Sequence, residues 1–413
     1  MTSKFACAAR LATALVLGGC SSPGHDAAGA ARDSGAALGT PRPAPAAAAA
    51  AAPAAVTAVT AVTVGQEHSC ALKASGAASC WGSNESRQLG SGNDSSALAP
   101  VPVAGSHHFV AISAGAGHTC ALDENGAAWC WGTGEQGQLG TGRPSDSSAA
   151  PVPVRTDHHF VAISASVSHS CALERAGTAW CWGANESGQL GAGSSSASPV
   201  PVAVQGHSYR AIAAGPSYTC AATTSGSVEC WGVSTLGGGG DAPAPVAGLQ
   251  DIVALSAGAN VACAVDSRGG VWCWGANDFG QLGAGRIDRR DAPVRTPLRV
   301  ALSATAASVS VGGGRSCAVA VDGALSCWGI DDDHALGATT STVCPIDGRT
   351  VACAPQPLAV TPSLHFARVA VGQYHSCSST TDGRVYCWGT SMNGNLGSGS
   401  DSDVAEPREV RLP

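Results

Sequence analysis

The stretch GHTCALDENGAAWCWGTGEQGQLGTG, residues 117–142, contains two cysteines ten residues apart, with a turn between them and a Trp-Gly pair after the second. If Cys120 and Cys130 face each other across a β-hairpin, the loop between them has an odd number of residues. A three-residue loop, 124–126, meets this condition, and Gly126 at its end adopts a left-handed backbone at least cost. Counting outward places the cysteines at a non-hydrogen-bonded pair, where Cα atoms lie about 4.5 Å apart and a disulfide can form.

The same arrangement recurs at intervals of about 50 residues from about residue 62 onward. Glycine stands six residues after the first cysteine in every copy, and each copy contains four strand-like segments separated by turn residues. Seven copies of this length predict a solenoid, an array or a propeller. The first cysteines of the seven copies are Cys70, Cys120, Cys171, Cys220, Cys263, Cys317 and Cys377.

Of the 18 cysteines, the last sixteen fall into eight close pairs. Zinc would need four ligands gathered together, whereas each repeat offers one cysteine pair and at most one nearby histidine. If the chain is exported, regular pairs therefore favour a disulfide framework over metal sites. The predicted disulfides are Cys70–Cys80, Cys120–Cys130, Cys171–Cys181, Cys220–Cys230, Cys263–Cys273, Cys317–Cys327, Cys344–Cys353 and Cys377–Cys387, the pair at 344 and 353 joining an inserted loop.

The N-terminus has the layout of an export signal. Lys4 and Arg10 accompany a short apolar run, 11–17, which is too short to span a bilayer. The ending Leu-Gly-Gly-Cys resembles a bacterial lipobox, so we predict a signal peptide at 1–20 and an acyl anchor on Cys20. Ordinary secretion with cleavage elsewhere is the alternative. Residues 21–55, rich in Ala and Pro, are predicted to form a disordered tether.

Composition argues against a nucleic-acid partner. The chain has 413 residues, 22 Lys and Arg against 29 Asp and Glu, and a formal net charge of -7. Lysine occurs only at Lys4 and Lys73. A general nucleic-acid binder would normally gather a basic excess on one face.

The pattern Gly-x-x-His-[Ser/Thr]-Cys-Ala-Leu, a glycine-containing turn and Cys-Trp-Gly-x-Asn-x-x-Gly-Gln-Leu-Gly resembles the repeat of the regulator of chromosome condensation family. The copies at 117–140, 166–191 and 258–283 match it best. This resemblance implies an all-β, seven-bladed β-propeller over residues 56–413, with one four-stranded blade per repeat. It also implies that the ring closes by pairing the two chain ends, to which residues 56–64 and 407–412 would contribute.

Two residue types tempt a functional reading. His68, His118, His169 and His375 occupy one repeat position, but Tyr218, Val261 and Arg315 occupy it elsewhere. We therefore predict a packing and hydrogen-bonding role for this position rather than general-base catalysis. All ten tryptophans lie in or beside Cys-Trp-Gly and are predicted to form the core between blades.

Two charged segments are candidate binding loops. Asp331, Asp332 and Asp333 could contribute to a calcium site, although a solvated acidic loop is favoured because no EF-hand spacing accompanies them. Arg286, Arg289 and Arg290, with two further arginines in the same repeat, form a positive patch for an acidic partner or membrane headgroups. Neighbouring aspartates favour a solvated loop here too.

We predict a monomeric, membrane-anchored binding module at the cell surface or in the envelope, with an unidentified protein partner, no cofactor, no metal and no catalytic residues. Family members include an exchange factor for a nuclear GTPase and a secreted β-lactamase inhibitor; exchange activity is not expected of an exported chain. The alternatives are an envelope enzyme acting on glycans and a purely structural envelope protein. Recognition is expected in the loops 91–99, 141–150, 192–198, 284–291 and 339–356.

Overall fold

A computed structural model describes residues 58–233, 236, 239–346 and 349–413. The predicted signal peptide, Cys20 and the predicted tether lie outside the described residues. The described chain forms seven antiparallel sheets arranged as the blades of a ring. The predicted all-β, seven-bladed propeller is confirmed. Among the described residues, no helix has the length and apolar character needed to cross a membrane.

Each repeat supplies one blade, and its strands follow the chain from the inside of the ring outward. Blades 1 to 4 comprise β1 (Val59–Val64), β2 (His68–Lys73), β3 (Ala78–Gly82), β4 (Ala97–Pro102); β5 (Phe109–Ala114), β6 (His118–Asp123), β7 (Ala128–Gly132), β8 (Ser148–Pro153); β9 (Phe160–Ala165), β10 (His169–Glu174), β11 (Ala179–Gly183), β12 (Ser198–Ala203); and β13 (Tyr209–Ala214), β14 (Tyr218–Thr223), β15 (Val228–Gly232), β16 (Ala244–Val246).

Blade 6 departs from the predicted four strands, because the inserted segment forms an additional hairpin and gives a sheet of five. A short 3₁₀ helix, η1 (Asp332–His334), precedes that hairpin. Blades 5 to 7 comprise β17 (Ile252–Ala257), β18 (Val261–Asp266), β19 (Val271–Gly275), β20 (Val294–Arg299); β21 (Ala306–Val311), β22 (Arg315–Ala320), β23 (Leu325–Ile330), β24 (Val343–Ile346), β25 (Arg349–Val360); and β26 (Phe366–Val371), β27 (His375–Thr380), β28 (Val385–Gly389), β29 (Val404–Val410).

The hairpin of residues 117–142 has the predicted register. Cys120 pairs with Cys130, and the backbone N–H of Asp123 donates to the carbonyl of Ala127 (3.0 Å), which leaves a loop of 124–126. Gly126 has a φ of 82°, as the turn requires. The seven blade disulfides have Cα–Cα distances of 4.0 to 4.1 Å, close to a non-hydrogen-bonded pair, and Cys344–Cys353 has 5.9 Å. The eight predicted cysteine pairs therefore all lie within bonding reach.

The alternation of strand direction gives the ring two different faces. Turns between first and second strands and loops between third and fourth strands lie on one face, which we call the variable-loop face. Hairpins between second and third strands, and connections between successive blades, lie on the other, which we call the hairpin face.

The predicted mode of ring closure is wrong. Strand β1 pairs with β2 in blade 1, and β29 pairs with β28 in blade 7, so the chain ends do not share a blade. Each repeat begins at its innermost strand and supplies all the strands of its own blade. No strand from one end of the chain is therefore left to complete a blade at the other end. Closure instead comes from packing of β1 against β26 and β27, with the N–H of Val59 donating to the carbonyl of Gly383 (3.2 Å).

The core between blades repeats one contact: the disulfide of each blade shares a hydrophobic cluster with the Cys-Trp-Gly tryptophan of the next blade. Cys120 and Cys130 of blade 2 lie with Trp182 of blade 3. Trp81 lies with Cys377 and Cys387, so the same contact closes the ring. These seven tryptophans are fully buried, which confirms their predicted place in the core between blades. The other three, Trp129, Trp180 and Trp272, are half-buried and pack against the edge of these clusters.

Replacing Trp182 by alanine is expected to lower the free energy of unfolding by about 3–5 kcal/mol, because it removes a fully buried indole that also donates to the carbonyl of Gln138 (2.9 Å). The urea midpoint measures the loss. Trp180→Ser is the control, since Trp180 is half-buried and Ser79 and Ser326 occupy its repeat position. Equal midpoint shifts for the two variants would contradict this assignment.

Candidate functional site

The bases of the variable loops are fixed by side-chain hydrogen bonds. In blade 1, Asn84 Oδ1 accepts the N–H of Leu89 (2.9 Å), and Nδ2 donates to the carbonyls of Asn93 (2.9 Å) and Ser95 (3.1 Å). Asn185 and Asn277 accept from the equivalent leucines in blades 3 and 5. In these three blades the loop tip therefore varies on a base whose conformation is set by one asparagine side chain.

In blades 1, 2, 3 and 7 the recurrent histidine forms a hydrogen bond to the following blade. His118 Nε2 lies 2.9 Å from Ser170 Oγ, and that hydroxyl donates to the carbonyl of Gln138 (3.0 Å). Because the hydroxyl gives its only proton to the carbonyl, Nε2 is the donor to Ser170. Burial lowers the pKa of His118 to about 3, which keeps the ring neutral. The contact supports the predicted packing and hydrogen-bonding role.

The same contact links the other recurrent histidines to the following blade, including the junction that closes the ring. The pairs are His68 with Thr119, His169 with Thr219 and His375 with Ser69, at 2.7 to 2.9 Å.

All five variable loops lie on one face, since each connects the third strand of a blade to the fourth. The departures from the repeat gather in neighbouring blades 4, 5 and 6. There the histidine position holds Tyr218, Val261 and Arg315. The loop after the third strand lacks the Asn-x-x-Gly-Gln-Leu-Gly sequence in blade 4, is rich in arginine in blade 5 and contains the insertion in blade 6.

A cleft of about 240 Å³ opens on this face between blades 5 and 6. Phe279, Val261 and Pro293 contribute apolar surface to it, and Asp278 and Arg290 contribute charge. We call it the blade 5–6 cleft. Apolar pockets with a few polar groups at the rim are typical binding sites.

Two features of the sequence create the blade 5–6 cleft. Val261 is shorter than the histidine of other blades, and Gly314 leaves the opposite wall without a side chain. A Cβ on Gly314 would lie 3.6 Å from Phe279 Cδ2, and the φ of Gly314 is 107°. Sequence reasoning missed this cleft, although the three consecutive glycines were its signal.

Exposed aliphatic side chains stand on the loops of the same three blades. Val233 is 65 % exposed, Ile287 38 % and Val343 58 %. Together with the blade 5–6 cleft they define what we call the irregular sector. Apolar anchors around a pocket, on a rigid support, are the features of a protein-binding surface.

Three arginines of the predicted patch, Arg286, Arg289 and Arg290, each face an aspartate, which offsets their charge toward an acidic partner. The pairs are Arg286 with Asp288 (3.1 Å), Arg289 with Asp291 (3.0 Å) and Arg290 with Asp278 (3.9 Å).

The aspartates of the acidic run at 331–333 do not share one site, because Asp331 and Asp332 contact different partners. Asp331 is buried and accepts the N–H of Leu336 (3.0 Å), the role that Asn84 has in blade 1, and burial raises its pKa. Asp332 pairs with the buried guanidinium of Arg315. The side chain of Asp333 lies outside the described part. Among the described residues, no three His, Cys, Asp or Glu side chains are placed to hold a metal ion together.

Comparison with known sequences identifies relatives of this architecture. A family model described as the RCC1-like domain matches residues 21–300, and models of the regulator of chromosome condensation (RCC1) repeat match 366–395 and 382–413. The ultraviolet-B receptor UVR8 of Arabidopsis thaliana is 29 % identical over 356 residues, which covers 85 % of this chain and 70 % of that protein. The Arabidopsis mitochondrial protein RUG3 is 32 % identical over 130 residues, covering 31 % of this chain and only 27 % of its own length.

Solved structures share the fold. Prp20p of Saccharomyces cerevisiae, described with its binding properties to Gsp1p and histones, has a TM-score of 0.72 at 23 % identity, covering 84 % of this chain and 86 % of Prp20p. The ectodomain of the Physcomitrella patens receptor kinase CR4 has a TM-score of 0.52 at 20 % identity, covering 80 % of this chain and 74 % of its own. At these identities the likeness concerns the fold alone.

Proposed function

The chain belongs to the family of RCC1-like domain proteins, and we propose that it is an exported, membrane-anchored propeller that binds a protein partner through the irregular sector. Propellers of this family are often interaction scaffolds. The observation that carries the proposal is the blade 5–6 cleft, flanked by Ile287, on a loop whose base Asn277 holds, and by other exposed aliphatic side chains.

Two features support export and anchoring. Residues 1–20 have the layout of a signal peptide, and Cys20 stands at a lipobox-like position. Eight cysteine pairs within bonding reach suit an oxidising compartment. Acyl chains on Cys20 would hold the propeller at a membrane surface without a spanning helix.

The irregular sector combines exposed apolar side chains with a cleft beside a loop that hydrogen bonds hold in place. Val233, Ile287 and Val343 offer apolar surface on three successive blades, and Phe279 lies half-buried in the cleft among them. A partner side chain inserted beside Phe279 would gain burial without reorganising the blade 5 loop, since the Asn277 amide already holds the base of that loop.

A photo-crosslinking amino acid at Ile287, in the mature chain on intact cells, is expected to capture one specific protein. The same amino acid at Val321 is the control, because Val321 is 72 % exposed but lies on the hairpin face. Mass spectrometry of the adducts compares the two positions. Capture from position 321 alone would contradict use of the irregular sector, and capture from neither would favour the structural alternative.

A further inference from the structure

Blades 2 and 3 each hold an imidazole ring against a tryptophan on the hairpin face. In blade 3 the rings of His158 and Trp180 stack with centroids 3.7 Å apart, and His158 Nδ1 lies 2.9 Å from Glu174 Oε1. In blade 2 the ring centroid of His107 lies 4.4 Å from that of Trp129. Each histidine comes from the connection that leads into its blade, two residues before the first strand.

Blade 5 has the tryptophan and the carboxylate of this arrangement. Trp272 Nε1 donates to Asp266 Oδ2 (2.9 Å), as Trp129 Nε1 donates to Asp123 Oδ2 (3.1 Å) in blade 2. At the position of the histidine, however, the chain has Gln250, whose side chain is exposed.

A cleft of about 250 Å³ lies beside Trp272 in blade 5, with Gln250, Asp251, Asp266 and Arg268 in its lining. We call it the Trp272 cleft. It is formed by the connection into blade 5 and by the hairpin of that blade, which are the elements that enclose the imidazole in blades 2 and 3. Its volume leaves room for an aromatic ring beside Trp272.

We propose that the Trp272 cleft binds the imidazole ring of a histidine side chain on a partner polypeptide. The chain itself supplies the reason, since it places an imidazole on the equivalent indole in two other blades. Stacking on an indole adds attraction beyond the area buried. This site lies on the hairpin face and does not depend on the irregular sector.

Two carboxylates near Trp272 have different roles. Asp266 orients the indole: Oδ1 accepts the N–H groups of Arg268 and Gly270 (2.9 Å each), and Oδ2 accepts Trp272 Nε1. Burial raises the pKa of Asp266, but these hydrogen bonds lower it by more than burial raises it. The net shift of the pKa is downward, so the carboxylate stays ionised. Asp251 is exposed and supplies an acceptor for a ring N–H.

The local charge suits a neutral ring. Asp251 and Asp266 are offset by Arg268 in the cleft lining and by Arg299, whose charge acts on Asp266. A cationic side chain such as lysine would find no net negative potential here. Imidazole combines a flat face for Trp272 with a neutral donor at its edge.

The test uses the mature chain labelled at its indole nitrogens, with imidazole and a short acetylated histidine peptide as probes. Both are expected to shift the Trp272 indole resonance saturably, with dissociation constants on the order of millimolar, as small ligands allow. The matching alanine peptide should leave it unmoved. Trp272→Ser identifies the resonance, and serine occupies this repeat position at Ser79 and Ser326.

Gln250→His is the decisive variant, because it restores the histidine of blades 2 and 3 and should fill the cleft from within. We expect at least tenfold weaker binding of both probes. Unchanged binding to this variant, or binding of a methyl glycoside in place of imidazole, would overturn the proposal. Crosslinking from Ile287 should be unaffected by either substitution, so failure here is distinguishable from failure of the partner-binding proposal.

Discussion

Produced in a reducing compartment, the chain is expected not to fold, whereas the same chain produced in an oxidising compartment should form the propeller. Each blade disulfide joins cysteines ten residues apart. Closing a loop of this length stabilises a protein by about 3 kcal/mol in the chain-entropy description. Seven such bridges contribute about 20 kcal/mol, more than the 5–15 kcal/mol by which domains are typically stable.

The disulfides also belong to the blade junctions, so their removal should cost more than the loop entropy. Replacing Cys120 and Cys130 by alanine removes the sulfurs that lie in one cluster with Trp182. The matched control replaces Cys344 and Cys353, which close a loop of similar length inside the insertion.

The urea midpoints of the two double variants provide the measurement. A larger loss for the 120 and 130 pair is expected, by about 1–2 kcal/mol for the junction contact. Equal losses would mean that the disulfides act through the unfolded chain alone. A folded propeller recovered in quantity from the reducing compartment would contradict the prediction that the chain does not fold without its disulfides.

The sequence predicts what happens inside one blade because those contacts are local. The spacing of Cys120, Gly126 and Cys130 defines a hairpin register within eleven residues, and the structure has that register. Contacts between blades join residues about 50 positions apart, and the repeat alone does not show their partners. The bond from His118 to Ser170 and the packing of Trp182 on the neighbouring disulfide are of this kind.

Binding features follow the same division. Departures of single residues, such as Val261 or the acidic run, were visible in the sequence, but their consequences depended on the neighbouring blade. Asp331 takes the place of an asparagine at the loop base and has its structural role. In the sequence its negative charge suggested a binding residue instead. The Trp272 cleft arises because Gln250 stands where blades 2 and 3 have a histidine packed on a tryptophan. That contact is visible only in the structure.

Acidification below pH 6.5 is expected to destabilise the propeller steeply. Burial lowers the pKa of His68, His118, His169 and His375 to about 3, whereas an unfolded histidine has a pKa near 6.5. Between these values the unfolded chain binds protons that the native chain does not, so stability is full above pH 6.5 and falls as the pH drops toward 3. Each histidine contributes about 1.4 kcal/mol per pH unit, and the four together about 5 kcal/mol per pH unit.

The structure gives the reason why native protonation is resisted. The Nδ1 atoms of His68, His118 and His169 are buried and find no hydrogen-bond partner among the described residues, so an added proton would leave a buried charge without an acceptor there. The Nδ1 of His375 accepts from the amide of Asn395 (3.0 Å), and a proton there would face another donor.

Urea midpoints between pH 6.5 and 5 test this account, because carboxylates titrate mostly below that range. His118→Val should reduce the slope of stability against pH by about a quarter, and Val261 shows that valine fits this repeat position. His159→Gln is the control, since His159 is an exposed histidine that does not occupy the repeat position of the four buried ones. If His118→Val retained the full slope, the acid sensitivity would have to come from groups other than the buried histidines that join the blades.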